Sequence, residues 1–147
     1  MFADWSDPAP AQTLAKAIAE VAPYEPGAFY KRELPCLLAV IGEIGAPLSV
    51  VVVDGYVWLS ADGRPGLGAH LHEALGSAVT VVGVAKTSFH GADFAEQVLR
   101  GDSGRPLYVT AAGVAPAIAA GWIQRMHGRH RVPTLLQRVD RLSRGDR

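Results

Sequence analysis

The chain has 147 residues, 49% of them apolar and 19% charged, which is enough for one domain with a real core and too little for two. Its 14 Lys and Arg balance 14 Asp and Glu, so no global field advertises nucleic acid or an anionic membrane as partner. The single Cys36 excludes a disulfide framework and a cysteine metal cage, no apolar stretch is long enough to span a bilayer, and no basic region followed by an apolar core reads as a secretory signal; the expected location is the cytoplasm.

The first ten residues read as an apolar strand end and a polar turn. Residues 12–22, QTLAKAIAEVA, are mixed and fit an edge strand or a short helix. PYEPG, from Pro23 to Gly27, is stiff, because its two prolines fix φ and remove donors. Pro35 suits a first helical turn, and CLLAVIGEIG runs on to glycines that end the helix. Residues 48–53 form a continuous β-branched run, as expected of a strand buried on both faces. A short helix follows over 66–75. AVTVVGVAK is a second buried strand and RPLYVTAA a third. VAPAIAAGWIQRMHG and PTLLQRVDRLSR are helices, the latter opened by Pro133. The alternation predicts an α/β fold with a parallel sheet, in which function gathers at the carboxyl ends of the strands. The basic tail, Arg125 to Arg147, reads as a solvated helix face, with a nucleic-acid face as the sharper alternative.

Asp54 ends the first buried strand and Lys86 ends the next, so neighbouring strands would bring both charges to one sheet edge. The bland reading is a turn aspartate and a solvent-facing lysine. The sharper one is a carboxylate bound to a cation, with a lysine for a phosphate or leaving group. Glu33 lies near a helix mouth, where it favours the positive helix end whether or not it does anything else. The stretch before it combines Tyr24, Phe29 and Tyr30 with Lys31 and Arg32, the materials of a stacking site for an unpaired base.

Six segments in order resemble the endonuclease V family, ribonuclease-H-like nucleases acting on deoxyinosine in DNA and inosine in RNA: PYEPGAFYKRELP, VVVVDGYVW, GLGAHLHEALG, VVGVAKT, PLYVTAAG and HRVPTLLQRVD. The resemblance covers about residues 20 to 142. It implies a ribonuclease-H-like mixed sheet with helices on both faces and Mg²⁺, or Mn²⁺, as cofactor. It also implies cleavage on the 3′ side of inosine, a role in nucleic-acid repair, and a monomer. Under it Glu33, Asp54 and Lys86 are catalytic, and Asp54, Glu33 and Asp140 hold metal. Pro23, Tyr24, Glu25 and Pro26 form a strand-separating wedge. Gly55 and Gly68 line the pocket of an extruded hypoxanthine, and His72 matches a histidine of the family's helix.

The resemblance breaks at the family's first strand and first catalytic aspartate, which have no counterpart here. Asp4 and Asp7 are the candidate replacements. Either the natural start lies upstream or the chain is a short paralogue lacking a metal ligand. The family's histidine after Asp-Gly is also absent, its Gly-His pair stands here as Ala112-Gly113, and PTLLQR replaces an acidic Glu-Pro-Thr-Arg. His70, His90, His127 and His130 read as structural or surface residues. The alternative to an active nuclease is an inosine-binding paralogue with impaired catalysis. A third reading, an unrelated α/β protein for a phosphorylated ligand, is weakened because GRPGLG lacks the Lys-Ser/Thr of a phosphate loop.

Overall fold

A computed structural model describes residues 1–90 and 93–146. Four helices and four strands follow in the order α1 (Tyr30–Ile41), β1 (Val50–Asp54), α2 (Leu67–Ala74), β2 (Thr80–Ala85), β3 (Glu96–Val98), β4 (Leu107–Ala112), α3 (Pro116–Arg125) and α4 (Thr134–Ser143). The sheet order is β1-β2-β4-β3. β1 and β2 are parallel, with Asp54 beside Val84, while β4 is antiparallel to both neighbours.

The sheet is therefore mixed, as the family resemblance implied and against the parallel sheet expected from the alternation alone. The reason is β3. This short polar strand, EQV, lies beyond β4 in the sheet, and the chain turns back from it into β4. β4 is thus the one described strand that opposes the others.

Both faces of the sheet are covered. Val82, Val84, Val98, Leu107, Val109 and Ala111 pack on one face against Ala119 and Ile123 of α3 and Leu135 of α4. Val53, Val81 and Ala112 pack on the other against Ala69 and Leu71 of α2, with Leu34, Leu37, Leu38 and Ile41 of α1 behind them. The periodicity of two sends alternate residues of each strand to opposite layers, and so both layers need apolar strands.

Three expectations fail for local reasons. The valines at 50–52 are only half-buried, because β1 is an edge strand. Its outer side borders an apolar groove of about 630 Å³ between α1 and α4. Residues 12–22 form neither strand nor helix; they are anchored at points, by Lys16 to Glu43 at 2.6 Å and by the Met1 ammonium to the Gln12 carbonyl at 2.6 Å. Pro35 lies inside α1 rather than at its start. Gly27, at φ +76°, lets the 25–28 turn close early, with the Ala28 N–H on the Glu25 carbonyl at 3.0 Å. The first helical turn thus forms ahead of the proline, which forgoes one bond to the Lys31 carbonyl.

One glycine sets how closely the chain after β1 approaches the sheet. A Cβ on Gly83 would lie 2.5 Å from the Gly55 carbonyl oxygen, 2.9 Å from the Thr110 hydroxyl and 2.9 Å from the Val57 nitrogen. The Val57 N–H donates to that hydroxyl at 2.8 Å in a buried bond. Gly83→Ala is expected to lower stability by about 2 kcal/mol, since backbone must move to admit the methyl; the urea midpoint measures it.

Candidate functional site

The parallel register brings the carboxyl ends of β1 and β2 to one edge, with Asp54 beside Val84 and Lys86 two residues further on. Lys86 Nζ lies 3.6 Å from Asp54 Oδ2 and 3.5 Å from Asp140 Oδ2. Asp140 comes from α4, where Arg144, one turn on, donates to it at 3.0 Å. The Asp54 side chain is 69% exposed, Lys86 38% and Asp140 35%. Ion pairs this exposed stabilise a fold by about 1 kcal/mol or less each. Something other than their own attraction must bring three distant chain segments together.

Two arginines and a tyrosine do so. Arg100, 4% exposed, follows β3 and donates to four main-chain carbonyls. Nη2 reaches Met126 at 2.5 Å and Gly128 at 3.0 Å; Nη1 reaches His130 at 2.8 Å and Arg131 at 3.3 Å. Its Nε is buried with no partner among the described residues, and burial lowers its pKa from the usual value. These bonds fold the loop between α3 and α4. Glycine is needed where the loop passes β3: a Cβ on Gly101, at φ +61°, would lie 2.4 Å from the Arg129 carbonyl.

From this loop Arg131 turns inward, donating to the carbonyls of Arg105 and Pro106, each at 2.9 Å, and to that of Lys86. On the other flank, the Tyr56 hydroxyl donates to the Thr87 carbonyl at 2.7 Å and accepts the Phe89 N–H at 3.1 Å. Burial pushes the Tyr56 pKa up, so the phenol keeps the proton that it donates.

Glu33 lies in the first turn of α1. Among the described residues no three His, Cys, Asp or Glu side chains converge closely enough to hold a metal ion. The expected trio Glu33, Asp54 and Asp140 is thus not gathered; Asp54 and Asp140 are, around Lys86. Asp4 and Asp7 are occupied locally. Asp4 accepts from the Ser6 hydroxyl and N–H, which hold its pKa down, and Asp7 accepts from the N–H groups of Ala3 and Asp4.

Pro23 to Pro26 form an exposed approach to α1. Tyr24 is 62% and Phe29 53% exposed, but Tyr30 stacks on His70 at 3.6 Å, and Glu25 is paired with Lys31 at 3.0 Å. Gly55, at φ +129°, has open space where a Cβ would stand; Gly68 does not. A Cβ on Gly68 would meet Val57 Cγ2 at 2.6 Å, so its bareness lets α2 pack on the chain after β1. His72 Nδ1 bonds the Val79 carbonyl at 2.7 Å, at the amino end of β2 and away from the Asp54 edge.

The basic tail divides. Arg131 and Arg144 are committed to the contacts above, and Arg125, Arg129, Arg138 and Arg141 face solvent. Arg100, Arg131 and Tyr56 drew no attention in the sequence as site residues. The available signals were an arginine two residues past the end of β3, and one just ahead of Pro133.

Two carboxylates around one ammonium are a hard-oxygen set already arranged about positive charge. A small divalent cation is commonly held by one or two carboxylates, with water and phosphate oxygens completing its shell. The residues present fit such an ion through Asp54 and Asp140.

A family model described as Endonuclease V matches residues 2–120. Endonuclease V of Rhodospirillum centenum is 33% identical over 138 residues, 80% of this chain and 56% of the relative. That of Streptomyces avermitilis is 30% identical over 151 residues, 88% and 65% respectively. The chain thus spans 56% and 65% of these curated relatives. Among solved structures, Ciona intestinalis Endonuclease V in complex with a 23mer DNA containing an inosine followed by a ribo-adenosine superposes with TM-score 0.66. At 18% identity, over 84% of this chain and 66% of that one, this likeness speaks for the fold alone.

Arg100→Met keeps much of the side chain's length and leaves four carbonyls without their donor. It is expected to cost about 3 kcal/mol, read from urea unfolding, and Arg100→Lys to recover only part, because one ammonium cannot reproduce the guanidinium fork.

Proposed function

The chain belongs to the endonuclease V family, and on that premise we propose that it is a metal-dependent endonuclease that hydrolyses DNA or RNA on the 3′ side of inosine. The observation that carries the reading is Lys86 Nζ standing 3.6 Å from Asp54 and 3.5 Å from Asp140 at one sheet edge. Inosine enters through membership of the family, and the DNA in complex with the Ciona Endonuclease V contains it.

In this reading Asp54 and Asp140 hold Mg²⁺ or Mn²⁺. When bound, the ion supplies a Lewis acid that offsets phosphate charge and makes water acidic enough to attack. Lys86 faces the scissile phosphate. Hydrolysis adds the oxygen of water to phosphorus and breaks the bond to the 3′ oxygen, leaving a 3′-hydroxyl and a 5′-phosphate. The ammonium stabilises the negative charge that develops on the departing oxygen. Glu33, in the first turn of α1, stands outside the gathered pair.

Tyr24 and Phe29 provide exposed aromatic surface beside the path of the nucleic acid, and the Pro23–Pro26 stretch keeps that surface rigid, as a wedge requires. The open space at Gly55 admits the extruded base, and a mispaired or single-stranded inosine costs least to extrude. The evenly balanced charge predicts few phosphate contacts and a shallow dependence of affinity on salt.

An end-labelled oligonucleotide with one inosine tests the reading. With Mg²⁺ or Mn²⁺ a single cut just 3′ of the inosine is expected, and none in EDTA. Parallel DNA and RNA substrates give the preference. Asp54→Ala and Lys86→Ala should each slow cutting by roughly a hundredfold or more while binding persists. A wild-type chain that binds but never cuts would replace the nuclease reading with the non-cleaving paralogue.

A further inference from the structure

Lys86 is held by its main chain as well as by its charge. The sheet ladder on this side ends at Ala85 opposite Tyr108, so nothing in the sheet fixes the residues beyond it. Two side chains do. Arg131 donates to the carbonyl of Lys86 itself. Tyr56 donates to the next carbonyl, that of Thr87, at 2.7 Å and accepts the Phe89 N–H at 3.1 Å.

Their origins matter. Tyr56 stands two residues past Asp54, and Arg131 stands in the loop that leads into α4 and Asp140. The segment of Asp140 thus grips the backbone of Lys86 itself, through Arg131, and the segment of Asp54 grips the residues just after it, through Tyr56.

We propose that Tyr56 and Arg131 are positioning residues, a pair of main-chain clamps that set the Lys86 ammonium between Asp54 and Asp140. The proposal rests on the reading of Lys86 as the group at the scissile phosphate and adds what determines its placement. The aromatic packing around Tyr56, with Phe89 at 6.0 Å and Phe94 at 6.2 Å between ring centroids, does not need the hydroxyl. The hydroxyl is used wholly on the segment after Lys86. Arg131 divides its donors among three carbonyls from two segments, 105–106 and 86, a reach that a single ammonium lacks.

Tyr56→Phe keeps the ring and removes both hydroxyl bonds; Arg131→Lys keeps the charge and loses the fork. Amide hydrogen exchange reads the clamp without any catalysis. In Tyr56→Phe the Phe89 amide, and in Arg131→Lys the amides around Lys86, should exchange roughly tenfold faster or more, with thermal midpoints within a few degrees of wild type. In the nicking assay each variant should lose roughly tenfold or more in rate, since small misplacements of a reacting group are costly, while affinity for the inosine oligonucleotide stays within about twofold.

The double variant Tyr56→Phe/Lys86→Ala should be no slower than Lys86→Ala alone, because a residue acting through Lys86 has nothing left to position. Unchanged exchange in both variants, or losses that add fully on the Lys86→Ala background, would overturn the proposal. Should the wild-type chain fail to cut, the nuclease reading falls by itself and exchange alone decides the clamps: faster exchange upholds them, unchanged exchange removes them.

Discussion

The site hangs on a buried guanidinium with no carboxylate of the described residues paired to it. Arg100 offers its terminal N–H groups to four carbonyls of the loop between α3 and α4. A buried charge is costly to desolvate, and carbonyl dipoles aimed at it supply the compensation. Without it the carbonyls of Met126, Gly128, His130 and Arg131 would lose the donor that gathers them, and that of Met126 would be left in a buried place without a partner. The loop so folded presents Arg131 to Lys86 and starts α4 in the orientation that carries Asp140 to the same lysine. The chain of dependence runs from one side chain after β3, through main-chain carbonyls, to three charges at the far strands' edge.

This division of labour explains why the charges themselves can be so exposed. Lys86, Asp54 and Asp140 hold nothing together that the arginines, Tyr56 and the ladder do not already hold. They stay largely solvated and open to a ligand, and the polar scaffold behind them absorbs the burial. Gly83 and Gly68 contribute from the other face, where their missing side chains let the chain after Asp54 lie flat on β2 and under α2. A carboxylate at the end of an apolar strand is costly only if the strand drags it inward, and here burial stops one residue before the strand does: Val53 is 5% exposed and Asp54, the last residue of β1, faces solvent.

Much of this was legible in the sequence. The valine run before Asp54, the AVTVVGVAK run before Lys86 and the proline-opened α4 declared themselves through side-chain pattern, and the pairing of Asp54 with Lys86 followed from neighbouring strands. What stayed hidden was carried by main chain. β3 is two polar residues and one buried valine, too short for a β-branched run, so the reversal of β4 left no trace in the alternation. α1 began early because Gly27 allows a turn that Pro35 concealed. Arg100 and Arg131 bond only to carbonyls, which every residue possesses, and no spacing of side chains reveals such partners. Residues 12–22 have strand-like and helix-like apolar content but find no ladder. Glu33 sat near the expected place in the chain, yet nothing in its spacing revealed whether α1 would bring it to the other carboxylates.

The shallow seating of α4 has a consequence for how long the site lasts once formed. Only Leu135 of that helix is buried, and Val139 beside Asp140 is 61% exposed, so apolar burial contributes little to keeping the helix in place. Its attachment is the hydrogen-bonded loop ahead of it. With Leu135 and Leu136 as its main core contacts, a helix held this way is expected to open at a lower free energy than the sheet unfolds. Each opening carries Asp140 away and loosens the grip on Lys86, while the β2–β4 ladder persists. The lifetime of the Lys86–Asp140 contact is therefore expected to follow the closure of one helix and not the stability of the whole molecule; a protease or mild denaturant that catches α4 open would break that contact while most of the secondary structure remained.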